Sequence, residues 1–500
     1  MESSTRTVKR PPRWWRGLVF RLAAILVGLA PFALAETAFV LLDWGRPDCH
    51  DDPFVGFSAM HPLFVPSEDA ARYEVARSRR KFFRPESFAA RKGPNEYRIF
   101  CLGGSTVQGR PFAIETSFTT WLELNLRLAD PRRKWEVVNC GGVSYATYRL
   151  VPILQEVFGY QPDLIVLYTG HNEFLEDREY GHIRDMPRSV AWPCEMILRT
   201  RTYNLLREGY VRLRARPRPK AAPDRPVLAA EVDAILDYRG GMAKYRRDEK
   251  WRRDVIGHFQ YNLRRMVQMS RDAGVRLVLM NPVCNLRDCR PFKSQHRQGL
   301  TPEQRRQWEA LRHEARSLFG TSRRRAAELL RRALDIDDQH AGLHFLLGKC
   351  LDAMARPHQA REAYIRAKEL DVCPLRMLEP MHQAVLDTAR QTDTPLVDVR
   401  RLVEQRSRDG IPGGYLLTDH VHPSIAGHRL IADALTEELI RQRIVRPTEG
   451  WKQHQDKEAA EHLASLGDLY FAKGAQRLES VRGWARGKAS MVRPTAGTKD

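Results

Sequence analysis

The stretch Arg98–Gly109, RIFCLGGSTVQG, decides how the rest of the chain is read. Ile99 to Leu102 is a short apolar run closed by glycine, the pattern of a buried strand. Gly103 and Gly104 turn the backbone tightly and leave Ser105 at the strand's carboxyl end, where open α/β sheets place their ligands. A helix starting just after Ser105 would aim backbone N–H groups at an oxyanion. By itself, strand–Gly-Gly-Ser reads first as an ordinary turn. The balance shifts far downstream, at Asp419-His-Val-His422-Pro423. An Asp three residues before a His can hold the imidazole by one nitrogen while the other faces a serine.

Outward from Ser105, apolar runs alternate with helical periodicities. Strands are predicted at Arg98–Leu102, Glu136–Val138, Leu164–Tyr168, Arg276–Met280 and Leu396–Val399. Between and after them, helices are predicted at Ser117–Leu128, Tyr148–Phe158, Trp251–Ala273 and Ile425–Gln442. That alternation predicts a parallel sheet with helices on both faces. Two further loops follow strand ends, Asn139–Thr147 and Thr169-Gly-His-Asn-Glu-Phe174. In a doubly wound sheet they converge with the Ser105 turn on one edge. There the Asn172 amide can donate to an oxygen that becomes negative during acyl transfer. A lone Asn in a loop is usually a turn-former. Four loops that each carry a nucleophile, a donor or a base are harder to read as turns.

With these residues in order, the chain resembles the SGNH (GDSL-type) hydrolase superfamily. Gly104-Ser105 stands for the nucleophile block, Asn139–Thr147 for the glycine block, Gly170-x-Asn172 for the asparagine block and Asp419-x-x-His422-Pro423 for the closing block. The resemblance implies a three-layer, flavodoxin-like parallel sheet. It also implies a serine hydrolase of ester bonds whose catalytic residues are Ser105, Asp419 and His422, with no cofactor. Its oxyanion hole would combine the N–H of Ser105, the side chain of Asn172 and a backbone N–H of the second block. Two departures stand out. Gly103-Gly104-Ser105 replaces the usual Gly-Asp-Ser, a variant associated with membrane-anchored, exported members. Ser144 occupies the usual glycine position of the second block, with Gly142 as the other candidate donor. His171 reads as a loop hydrogen-bonder. Asp419, His420 and His422 could be taken for metal ligands, but two alternate residues of a loop rarely face one ion, so no metal is expected.

Composition bounds the partners. The 82 Lys plus Arg against 61 Asp plus Glu leave a formal charge of +21. No aromatic platform or nucleic-acid motif accompanies it, so anionic lipid or acidic polysaccharide is expected rather than nucleic acid. Eight cysteines make no disulfide framework. Cys101 and Cys140 read as core residues, whereas Cys284 and Cys289 could bridge in an oxidising compartment.

Lys9, Arg10, Arg13 and Arg16 precede an apolar run from Gly17 to Leu42, broken only by Arg21 and Glu36, with Asp43, Asp48, Asp51 and Asp52 beyond it. This predicts a single transmembrane helix, the N-terminus cytoplasmic and the remainder exported. Ala33-Leu-Ala35 also fits a signal cleavage site, but apolar character continuing through Leu42 favours a retained anchor. Ala70–Phe83 reads as a solvated basic helix within a linker. The Arg- and Pro-rich stretch from Asp177 to Glu249 reads as an excursion from the core.

An insertion with its own period separates the fourth and fifth strands. Ala326, Leu330 and Ala333 recur thirty-four residues later as Ala360, Tyr364 and Ala367, which resembles a tetratricopeptide-type helical hairpin. The organisation expected is a cytoplasmic tail (1–16), an anchor (17–43), a linker or N-terminal extension (44–95), a hydrolase domain in two parts (96–320 and 375–445), a helical insertion (321–374) and a C-terminal helical segment with a disordered tail (446–500). The expected substrate is an ester or acylated saccharide, such as an O-acetyl group of an envelope polysaccharide, with a protein partner at the repeats. Two alternatives stay open: an O-acyltransferase using the same triad, and a non-catalytic envelope scaffold.

Overall fold

The computed structural model describes residues 13–42, 44, 52, 54–57, 61–178, 200–203, 205–206 and 227–486. The chain forms two units, one of residues 1–56 and 180–226, the other of residues 57–179 and 227–500.

In the first unit, helix α1 (Arg13–Leu41) covers the expected anchor. Among the described residues no helix is long and apolar enough to cross a membrane. Glu36, the one acid in the apolar run, accepts the backbone N–H groups of Arg201 and Thr202 and the Thr202 hydroxyl at 2.8–2.9 Å. Lys9 and Arg10, the acids Asp43, Asp48 and Asp51, most of the excursion after Asp177, and the tail after residue 486 lie outside the described residues.

The second unit opens with three short antiparallel strands, β1 (Phe64–Pro66), β2 (Arg72–Val75) and β3 (Ser87–Ala89). The solvated helix expected at Ala70–Phe83 is therefore corrected: β2 and a short 3-10 turn (Arg77–Arg79) occupy the stretch. Phe82, Phe83 and Phe88 are buried, and a stretch that sinks this many rings joins a core instead of lying in solvent. The central sheet follows: β4 (Glu96–Gly103), β5 (Lys134–Gly141), β6 (Leu164–Tyr168), β7 (Arg276–Met280) and β8 (Leu396–Val397). All pairings are parallel, in the order β8-β7-β6-β4-β5. Counted along the sheet from β5, the five strands run second, first, third, fourth, fifth, which is the flavodoxin-like order.

Helices cover both faces. The one-turn α2 (Ser105–Gln108) follows β4, and α3 (Phe118–Ala129), α12 (Ile425–Arg441) and α13 (Trp451–Ser465) pack on one side through Trp121, Leu122, Leu126, Ile431 and Leu435. On the other side lie α4 (Thr147–Phe158), α5 (Glu249–Asp272) and α10 (Glu379–Gln391). Each fully buried Leu or Phe contributes roughly 1.5–3 kcal/mol, so this sandwich sets the frame on which the loops are hung. The fifth strand ends at Val397, earlier than expected, because the Asp398 carboxylate caps α11 (Val399–Arg406) by accepting the N–H of Arg401. The C-terminal helical segment consists of two helices, α13 and α14 (Asp468–Ala485), separated at Leu466-Gly467.

The helical insertion is α6 (Pro302–Ser317), α7 (Arg323–Ile336), α8 (Ala341–Ala353) and α9 (Pro357–Glu369). α6 starts with a reciprocal Thr301–Gln304 capping box and Pro302 in the first turn. Its Trp308, Leu311 and Ala315 enter the same core as Leu330, Leu347, Ala360 and Tyr364, so the helical unit begins one helix before residue 321. Gly348 is seated on the Tyr364 ring, where a Cβ would stand 2.7 Å from ring carbons. That core also takes Leu286, Ile411 and Val421 from the sheet-edge loops. Cys284 and Cys289 are free thiols here, the first buried. Cys101 and Cys140 are buried in β4 and β5.

Candidate active site

Ser105 opens α2 directly after β4, and its side chain is buried. The preceding glycines are required by close approach. A Cβ on Gly103 would meet the Tyr168 carbonyl at 2.1 Å, and one on Gly104 the Asn172 amide nitrogen at 2.5 Å. The Gly-Gly pair thus lets β4, β6 and the Asn172 loop close around the serine. As first residue of α2, Ser105 has no intrahelical acceptor for its own N–H.

His422 reaches Ser105 from the far end of the chain. Its Nε2 is 2.7 Å from the Ser105 Oγ, and its Nδ1 is 2.7 Å from the Asp419 Oδ2. The other carboxylate oxygen of Asp419 accepts the backbone N–H groups of Val421 and His422, both at 2.9 Å. The carboxylate is thereby held in one orientation while its side chain is only 5% exposed. Burial alone would raise its pKa, but the imidazoles of His422 and His420 and the His422 hydrogen bonds hold it below the usual carboxylate range. The anion can therefore fix the imidazole with Nδ1 protonated and leave Nε2 free to take the serine proton.

The other predicted residues lie around the same point. The Asn172 side-chain NH2 donates one hydrogen to the Tyr145 carbonyl at 3.0 Å, and its second hydrogen remains available. The two second-block candidates differ. The N–H of Gly142 is spent on the Gly103 carbonyl at 3.0 Å, and those of Val143 and Tyr145 on Phe82 and Gly142. Ser144, at φ 64°, keeps an N–H that no acceptor takes among the described residues. His171 accepts the N–H of Met377 at 3.2 Å, as a loop hydrogen-bonder should, and burial with repulsion from His420 and His422 pushes it down to about 3. The ligand atoms of Asp419, His420 and His422 lie within 4.8 Å of one another. Two of those residues already face each other across the Asp419–His422 hydrogen bond. His420 packs edge-on against Phe292, with its Nδ1 3.4 Å from Asp419.

Three supports were not read from the sequence. Gln108 donates to the Phe82 and Gly141 carbonyls at 2.8 and 3.0 Å, tying the N-terminal extension and β5 to the nucleophile turn. Glu173, next to Asn172, accepts both the N–H and the hydroxyl of Thr147 and joins the second and third loops. Asn285, in the loop after β7, donates its side-chain amide to the Asp419 carbonyl at 3.1 Å and its N–H to that of His420 at 2.9 Å. The rule that singled out the loops after the first three strands applies equally after the fourth, and would have pointed to Asn285.

No family model and no curated protein matches the chain. Among solved structures, it is similar to the acetylxylan esterase Axe2 of Geobacillus stearothermophilus (14% identity, 70% of this chain and 95% of that one, TM-score 0.30). It is also similar to a lipase/acylhydrolase of Enterococcus faecalis (12%, 71% and 100%, TM-score 0.32). A third likeness is to a protein described as lipolytic, of the G-D-S-L family, from Desulfitobacterium hafniense (10%, 68% and 99%, TM-score 0.30). Identities and TM-scores this low carry no argument about what this chain does.

Proposed function

We propose that this chain is a serine esterase of the SGNH type, with Ser105 as nucleophile, His422 as general base and acid, and Asp419 as the group that orients the imidazole. The observation that carries the reading is the unbroken relay from Asp419 through His422 to Ser105, with 2.7 Å at each step. The Ser105 Oγ attacks the ester carbonyl as His422 Nε2 takes its proton. The resulting oxyanion is met by the N–H groups of Ser105 and Ser144 and the free hydrogen of Asn172. Collapse expels the alcohol, which receives the proton from His422. A water then repeats the sequence and releases the acid.

The substrate in this reading is an acylated saccharide, an O-acetyl group of an envelope polysaccharide being the simplest case. The basic N-terminus and the apolar run to Leu42 support a retained anchor, with the catalytic unit exported. The matched helical period supports a tetratricopeptide-like insertion that docks a protein partner. The test is acyl release from a chromogenic acetyl ester, measured with and without a sugar acceptor. Release that Ser105→Ala abolishes supports the esterase. Acetyl recovered on the acceptor would make the chain an O-acyltransferase, and Ser105-independent release would overturn the reading.

A further inference from the structure

Beside the nucleophile turn lie three arginines that the esterase reading leaves unused. Arg110 follows α2 after Gly109, and its backbone N–H donates to the Ser105 carbonyl at 3.1 Å, so its backbone stands about one turn from that of Ser105. Its Nε reaches Gln108 at 3.4 Å. Arg84 arrives from the N-terminal extension, two residues after Phe82, whose carbonyl that same Gln108 binds. Arg477 arrives from α14. Gly474 of that helix is pressed so closely on the Phe112 ring that a Cβ would stand 2.1 Å from it, and Arg477 donates to the Phe112 carbonyl at 2.8 Å.

Three separate elements thus meet around the Gly109–Phe112 turn, and Arg110 there feels the charges of both Arg84 and Arg477. All three residues are half-buried. Among the described residues no carboxylate forms an ion pair with any of them, although the chain pairs many of its other arginines, including the deeply buried Arg98 and Arg149. Among the described residues, Glu115 is the one carboxylate whose charge reaches Arg84, with the Tyr470 phenol a lesser influence. Burial, and then the charges of Arg84 and Arg477, push Arg110 down to about 10; burial and Arg477 act on Arg84 in the same direction. Like charges gathered without a counter-ion oppose the folded state. Packing that forces them together is readily explained if an anion completes the cluster.

We propose that Arg84, Arg110 and Arg477 form an anion subsite, which takes a carboxylate or phosphate carried by the ester substrate beside the reacting bond. The inference rests on Ser105 as nucleophile and narrows the substrate class to acylated acidic glycans. Arginine suits the role because its planar fork binds either oxyanion in two-point fashion.

The test uses the full chain on three acetylated glycans: polygalacturonate, which carries carboxylates, teichoic acid, which carries phosphates, and neutral cello-oligosaccharides. At low salt, kcat/KM for at least one charged glycan should exceed that for the neutral one about tenfold or more, a gap of ~1.4 kcal/mol or more. Which charged glycan is preferred separates carboxylate from phosphate. The preference should collapse in Arg110→Gln and Arg477→Gln, fall only in part in Arg110→Lys, which keeps the charge but loses the fork, and be unchanged in Arg324→Gln, an exposed arginine of α7 that tests for a mere net-charge effect. A native preference near one, or a preference that Arg110→Gln/Arg477→Gln retains, would overturn the proposal. Binding of deacetylated polygalacturonate and deacetylated teichoic acid to Ser105→Ala protein by calorimetry separates this from failure of the esterase reading. Weaker binding of either in the arginine variants supports the subsite whether or not the ester is cleaved. Binding of neither, or binding indifferent to these arginines, counts against it.

Discussion

The two ends of the central sheet bury polar side chains in opposite ways. At the amino end Arg98 spends four of its five donors within the protein. Its Nε donates to Glu136 at 2.6 Å, one terminal nitrogen to the Tyr160 carbonyl at 2.9 Å, and the other to the Ala89 carbonyl and Glu96 at 2.8 and 3.0 Å. Lys134 closes the set on Glu96 at 3.0 Å. At the carboxyl end, Ser105, Ser144 and Asn172 keep donors that no acceptor takes among the described residues, and His422 keeps an imidazole nitrogen against a hydroxyl. A network so nearly filled has little left to offer a ligand and serves the fold. An unfilled one carries the cost of its idle groups, which in the proposed reading a reacting atom would engage.

Breaking the amino end should affect stability most. Arg98→Ala leaves Glu96 and Glu136 buried with fewer partners, and urea unfolding should show a loss of about 3–5 kcal/mol. The specific activity of the folded protein should stay within about twofold, on the order of 0.4 kcal/mol. A comparable loss at the carboxyl end should appear in rate instead. Asn172→Ala should lower kcat by roughly 3 kcal/mol in the transition state, about a hundredfold, with the thermal midpoint little changed. If Asn172→Ala unfolds the protein and Arg98→Ala leaves it stable, the contrast between the two ends is wrong.

A smaller effect, per pH unit, belongs to the imidazoles buried at the carboxyl end. Burial pushes His171, His420 and His428 down to about 3, 4 and 3, so the folded state keeps them neutral. Unfolded imidazoles bind protons below about pH 6.5, so their contribution to stability is complete above that pH. It is lost as pH falls from there towards 4, by about 1.4 kcal/mol per pH unit for each. Urea midpoints at pH 7, 6 and 5 measure the slope, and His428→Phe should remove one imidazole's share of it. The smallest change expected is Asn285→Ala. Losing its hydrogen bond to the Asp419 carbonyl should cost about 1 kcal/mol in kcat and leave KM unchanged.

The carboxyl end was largely legible in the sequence because its chemistry is local. Gly103-Gly104-Ser105 and Asp419–His422 each fit within one turn, and the βα alternation brings them together. The amino end was not, because Arg98, Glu136 and Tyr160 meet only across strands whose register no single stretch encodes. The same reason hid the N-terminal extension. Its charged residues suggest a solvated helix, yet Arg79 donates to the Tyr145 hydroxyl at 2.9 Å and the Phe82 carbonyl receives Gln108, so it buttresses the loops around Ser105. The helical insertion was placed by its period but not bounded by it. α6 lies outside the repeat and is held by burial of Trp308. The presence of Val421 in the insertion core, between Asp419 and His422, is likewise a product of packing.

Fluorophosphonate labelling followed by peptide mapping tests the relay most directly. The full chain should carry one phosphonyl group on Ser105, and His422→Ala should slow that labelling by orders of magnitude while the protein stays folded. Label on another residue, no label at all, or a rate indifferent to His422 would contradict the account.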